Sequence, residues 1–182
     1  MIGFSYNGTH SRTYSIIAKS VNRPMLPALR RREVFIPGRH GMFDFGENTF
    51  DKRIIDIEIK YIGSSLSNLR SSTRSISDWL SGYDGEQQLI FDDETDKYYL
   101  AKIYSDVGLQ NLFLLGQATL QFECDPFAYS TTYRGITATV TASGDIVSVS
   151  SSGTFETLPI ITLKNNGASA ITTFTLSREV LI

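Results

Sequence analysis

The chain has 182 residues, 41% of them apolar, and a net charge of -2 from 17 basic and 19 acidic side chains, enough for one large core or two small ones. So balanced a charge gives no field to hold nucleic acid or an anionic membrane surface, and specific nucleic-acid binding is not expected. Cys124 is the only cysteine, which excludes an internal disulfide; with no basic leader followed by an apolar run, and no stretch as long as a membrane span, neither export nor membrane insertion is expected.

In chain order, Phe4 and Tyr6, the turn Asn7-Gly8-Thr9 and residues 14–21 predict a strand, a tight turn and a second strand. Residues 22–27 hold Pro24 and Pro27, each without a backbone donor, and predict a loop. Residues 29–36 pass from Arg30, Arg31, Arg32 and Glu33 into Val34, Phe35 and Ile36, which predicts a basic edge running into a short buried strand. Pro37-Gly38-Arg39-His40-Gly41 closes that strand with a tight turn.

Residues 51–62 alternate, with Ile55, Ile57, Ile59 and Tyr61 on one side and Asp56, Glu58 and Lys60 on the other, the period of a half-buried strand. From 65 to 80 the period changes: Leu66, Leu69, Thr73, Ile76 and Leu80 recur on one helical face. Gly63 ends the strand, Ser64 or Ser65 can cap the helix start, and Gly82 can stop the last turn. Trp79 follows the apolar stripe and is expected as a core anchor. Residues 87–91 and 97–103 predict two strands around the polar turn 92–96. The apolar stretch 109–115, interrupted by Asn111 and bounded by Gly108 and Gly116, has no legible period. Residues 117–124 alternate cleanly, and Asp125-Pro126-Phe127-Ala128-Tyr129 ends that strand.

From about Ser130 serine and threonine dominate, charges thin out, and short apolar runs at 146–149, 158–163 and 171–176 alternate with Gly and Asn turns, the texture of a β-sandwich. A boundary near Thr131 divides an N-terminal domain, 1–130, from a segment, 131–182, that is short for a free-standing sandwich and is expected to be incomplete or completed by a partner. The fold class is mainly β with one α-helix, an α+β arrangement in which a helix lies on a sheet.

No grouping of reactive side chains stands out. Asp92-Asp93-Glu94-Thr95-Asp96 has oxygen ligands at alternate positions, but Lys97 and Ile103 stand where a helix-loop-helix calcium loop needs glycine and glutamate, so a solvated hairpin turn is the better reading. His10, His40 and Cys124 lack the spacing of a zinc site. Asp44, Glu47 and Asp51 are close in sequence but read as a solvated loop, and no serine lies in a Gly-x-Ser-x-Gly elbow. No metal, cofactor or catalytic residue is expected, and the chain reads as a non-enzyme. The basic cluster Arg30, Arg31, Arg32 and Arg39 has no glycine-rich phosphate cradle beside it, and its planar guanidinium groups suit carboxylates on a neighbouring subunit. With Asp56, Glu58 and Lys60 it makes up the candidate oligomer interface.

Several pieces occur in a telling order: Ile36-Pro37-Gly38-Arg39-His40-Gly41, Arg53-Ile54-Ile55-Asp56-Ile57-Glu58-Ile59, Ser77-Asp78-Trp79-Leu80, Leu89-Ile90-Phe91-Asp92-Asp93-Glu94 with Lys97-Tyr98-Tyr99, and Phe122-Glu123-Cys124-Asp125-Pro126-Phe127-Ala128-Tyr129. Over about residues 1–130 this set resembles the distal tail protein (Dit) family of siphophages, long-tailed phages infecting mainly Gram-positive hosts. The resemblance implies a structural virion protein, made in the host cytoplasm. Its N-terminal domain, barrel-like and β-rich, would form a homo-hexameric ring at the tail tip, followed by a partial galectin-like β-sandwich. It further implies as partners the tail tube protein above, the tail-associated or baseplate hub protein below, the tape measure protein in the lumen, and receptor-binding proteins. DNA would pass through that lumen, which the slightly acidic balance predicts is not lined with lysine and arginine. A ring needs head-to-tail contact between two different patches, so one strand face or edge should await a neighbour. The alternatives are a tail tube subunit, or a carbohydrate-binding baseplate module contacting the host cell wall through the Ser/Thr-rich segment.

Overall fold

The computed structural model describes residues 3–46, 49–62, 65–81, 85–104 and 116–177, and gives the backbone alone at 66–70 and 73. The chain divides into two compact units, Met1–Arg134 and Gly135–Ile182. The first unit contains β1 (Phe4–Tyr6), β2 (Thr9–His10), the 3-10 turn η1 (Ser11–Tyr14), β3 (Ile16–Asn22), β4 (Glu33–Val34), β5 (Phe43–Asp44), β6 (Arg53–Tyr61), α1 (Leu66–Leu80), β7 (Gln87–Phe91), β8 (Glu94–Ile103), β9 (Gln117–Cys124) and β10 (Tyr129–Ser130).

All strands but β4 and β5 form one antiparallel sheet with the path β2-β1-β7-β8-β9-β6-β3. β10 joins the N-terminal half of β8, where Tyr129 faces Tyr98, while β9 holds the C-terminal half, where Cys124 faces Ala101. The longest ladder joins β6 and β9 from Arg53 opposite Cys124 to Lys60 opposite Gln117. Its period of two buries Ile55, Ile57 and Ile59 against Leu120, Phe122 and Cys124 and turns Asp56, Glu58 and Lys60 outward. Phe4 and Tyr6 of β1 and Ile16 and Ala18 of β3 reach the same core, although these strands stand near opposite ends of the path. Only the four residues of η1 separate β2 from the residues leading into β3, so the sheet is curled.

The helix covers this core with Ile76, Trp79 and Leu80, all buried. Trp79 is the anchor its sequence position suggested. Its ring lies between Phe4, with centroids 5.9 Å apart, and Tyr14, at 4.9 Å, and its indole N–H donates to the Tyr6 carbonyl at 2.7 Å. A single side chain thus ties α1 to both β1 and η1. Leu66, Leu69 and Thr73 are expected on the same face, but their side chains lie outside the described residues, as do Gly63, Ser64, Gly82 and the stretch 109–115.

The structure departs from the sequence expectations in four places. The second strand begins at Ile16 rather than at residue 14, because Tyr14 closes a 3-10 turn and Ser15 takes a left-handed backbone at φ 56. The β7–β8 turn is Asp92–Asp93 alone; Glu94, Thr95 and Asp96 belong to β8, since the polar start of a strand facing solvent carries no apolar signal. Val34, Phe35 and Ile36 are exposed rather than buried, because among the described residues β4 pairs with β5 alone and nothing is stacked on that ribbon. Finally, the barrel is not closed by hydrogen bonds, since β2 and β3 end the path, and no galectin-like sandwich is evident.

In the second unit, no described residue between 135 and 177 lies in a strand and all are exposed. Its order is local. Asp145 accepts from the Thr141 and Ala142 amides at 2.8 and 3.0 Å, Gly144 turns the chain at φ 87, and Asn165 bridges the Gly167 amide and the Ser169 carbonyl. Ile146, Leu158 and Ile160 are more than four-fifths exposed, so the apolar runs that predicted strands have no second layer to bury them here.

Candidate assembly interface

Between β3 and β6 the chain leaves the sheet and returns as a two-stranded ribbon. The Asp51 amide donates to the Ala28 carbonyl at 2.7 Å, the Arg30 amide to Thr49 at 2.8 Å and the Phe45 amide to Arg32 at 3.1 Å, while Leu29 bridges Phe50. Farther out Glu33 pairs with Asp44 and Val34 with Phe43. The ribbon ends where Pro37 removes a donor and Gly38 and Gly41 take left-handed backbones at φ 85 and 77. The Arg39 amide then donates to the Ile36 carbonyl, closing the tip.

This arm is apolar and basic at once. Leu29, Phe35, Met42 and Phe45 are each more than half exposed, and Met25 and Leu26 lie bare at its root. Covering such side chains would recover part of the about 1.5–3 kcal/mol that complete burial of one of them is worth. Phe43 and Phe45 meet edge to face with centroids 5.0 Å apart, the Arg39 guanidinium lies 4.9 Å from the Phe43 centroid, and that of Arg32 lies 5.5 Å from the Phe45 centroid. The stacked cations stiffen the ribbon while keeping their charge outward. Arg30 lies 3.9 Å from Asp51, with both side chains more than half exposed, a pair of little energetic weight, and Arg31 is exposed.

Asp56, Glu58 and Lys60 occupy a different place, the outer face of β6. Asp56 accepts from Gln121 at 3.0 Å, Glu58 lies 3.7 Å from Lys19, and Lys60 is exposed. Among the described residues no ion pair joins the arm arginines to this face, so the structure keeps the two halves of the expected interface apart within one chain. The apolar arm residues Met25, Leu26, Leu29, Met42 and Phe45 were missed from sequence, although arginines interleaved with phenylalanine outside any alternating core pattern mark the segment. A third feature is β3, whose second edge has no ladder partner among the described residues and whose register shifts between Ala18 and Ser20. No cluster among the described residues has the makings of a metal site.

A family described as "Phage tail protein RIFT-related domain" (Sipho_tail) matches residues 11–124, more than half of the chain. Among solved structures, the SPP1 Dit (gp 19.1) protein, described as a paradigm of the hub adsorption apparatus in phages infecting Gram-positive hosts, is similar in fold with a TM-score of 0.58 at 19% identity. The alignment covers 71% of this chain and 52% of that one, so this chain spans about half the length of that relative. No curated protein sequence matches.

Proposed function

Since this chain belongs to the phage tail protein family with the RIFT-related domain, we propose that it is a distal tail protein whose first unit forms a hexameric ring between the tail tube and the baseplate hub. The observation that carries this reading is the arm: a hydrogen-bonded ribbon with exposed apolar side chains, which a lone subunit has no reason to expose. Laid on the next copy in a ring, those side chains would be covered. Arg30, Arg31, Arg32 and Arg39 would then face carboxylates of that copy, for which Asp56 and Glu58 on the outer face of β6, beside Lys60, are the candidates. Their present partners are exposed groups, so exchanging them costs little.

The ring would leave a channel for DNA and the tape measure protein, with the tail tube protein above, the hub protein below and receptor-binding proteins outside. The segment 131–182 would supply the opening strands of a galectin-like sandwich that form once further strands cover its apolar runs. The work of such a part is shape and contact rather than catalysis. Native mass spectrometry and electron microscopy of the purified chain test the reading. The expected species has six times the 20.3 kDa chain mass and appears as closed rings. Long tubes would favour a tail tube subunit, and a strictly monomeric chain at high concentration would overturn assembly.

A further inference from the structure

The β7–β8 turn, expected as a solvated acidic turn, makes specific contacts with both ends of the sheet. The Asp92 carboxylate accepts from the Gly3 amide at 2.8 Å through one oxygen and meets His10 Nε2 at 3.0 Å through the other, while the Asp92 amide donates back to the Gly3 carbonyl at 3.1 Å. The Arg12 amide donates to His10 Nδ1 at 3.1 Å, so that nitrogen carries no proton and Nε2 is the N–H that donates to Asp92. Gly3 precedes β1 and His10 ends β2, so Asp92 holds one end of the path.

Arg23, the residue after β3, holds the other end to the same turn. Its two terminal nitrogens lie 3.0 Å from Asp93 and 3.1 Å from Glu94, and its guanidinium sits 4.9 Å from the centre of the Phe91 ring. Lys97, 2.9 Å from Glu94 and 3.8 Å from Asp96, balances the remaining charge. Three consecutive acidic residues therefore bind the first and last strands of a ladder that no hydrogen-bonded pairing closes among the described residues.

We propose that Asp92, Asp93 and Glu94 form a clasp that keeps the curled sheet shut, and that its release by acid or by substitution opens the seam between β1–β2 and β3 while β6 and β9 stay paired. This concerns a single subunit and is independent of ring formation. Burial raises the proton affinity of Asp92, but the hydrogen bonds from His10 and Gly3, with the nearby positive charge of Arg12, outweigh it and hold the carboxyl below its ordinary 3.8. A group depressed in the folded state stabilises above its unfolded value and loses that contribution as pH falls through the folded value, so release belongs to the region below about pH 4.

Hydrogen exchange read by mass spectrometry on the full chain tests the clasp, comparing wild type with Asp92→Asn and Arg23→Met at pH 7. The expected result is about tenfold faster exchange at β1 and β3 in each variant, with β6 and β9 unchanged. Wild type moved below pH 4 should show the same pattern after correction for the intrinsic rate, and Asp92→Asn should respond less to acid. Equal acceleration of all strands, or none at β1 and β3 in either variant and in acid, would overturn the proposal.

Discussion

A methyl group at Gly3 would find no room. An added Cβ would lie 2.6 Å from the Asp92 carboxylate and 2.7 Å from the His10 ring, both already fixed by hydrogen bonds. Gly3→Ala is expected to cost about 1–3 kcal/mol in urea unfolding, the usual penalty of overpacking, with no change in the denaturant slope. Cys124 presents the opposite case, a side chain well accommodated and chemically silent. Burial pushes its thiol up to about 12, with Arg53 opposing and Asp125 and Glu86 adding to the rise. At pH 8.5 the native chain should label with a thiol reagent only as fast as it unfolds, measured by following label uptake against denaturant. Fast labelling of the folded protein would contradict the burial seen here.

Strands with one wet and one dry face were legible from sequence, because period two is a direct imprint of burial. β9 matches its expected bounds, and β6 differs only at its ends. The arm shows where that logic fails. Val34, Phe35 and Ile36 look like a buried strand because sequence reports apolarity but not what lies across from it, and here only β5 does. The basic residues of the candidate interface were visible as a run, whereas their apolar companions and the separation of Arg30–Arg32 from Asp56 and Glu58 depend on tertiary placement. The clasp was illegible for the same reason: His10 and Asp92, or Arg23 and Glu94, are distant in sequence and carry no shared spacing. For the arm, Phe35→Asp on an exposed site should change the thermal midpoint of the subunit by no more than about 1–2 °C. Size-exclusion chromatography with light scattering should nevertheless show loss of the high-mass species; an intact assembly would exclude the arm from the contact.

Taken together, the two units differ in kind. Among the described residues, Met1–Arg134 holds every strand and the whole buried core, while Gly135–Ile182 exposes all of its own. Limited proteolysis of the purified chain should therefore cut first within 135–177 and leave a resistant fragment ending near Arg134, identified by intact mass. Protection of that segment in the assembled ring, but not in the free chain, is the pattern expected if neighbouring strands complete it.

The placement of β1 also sets the timing of folding during translation. Phe4 and Tyr6 leave the ribosome more than eighty residues ahead of Gln87, where β7, the strand that receives them, begins, and the longest ladder waits for β9 to end at Cys124. Such distant pairings make vectorial folding slow. Beyond its hairpin with β2, β1 must therefore wait for β7 before it can pair, and the first unit can close only once β9 has also been made.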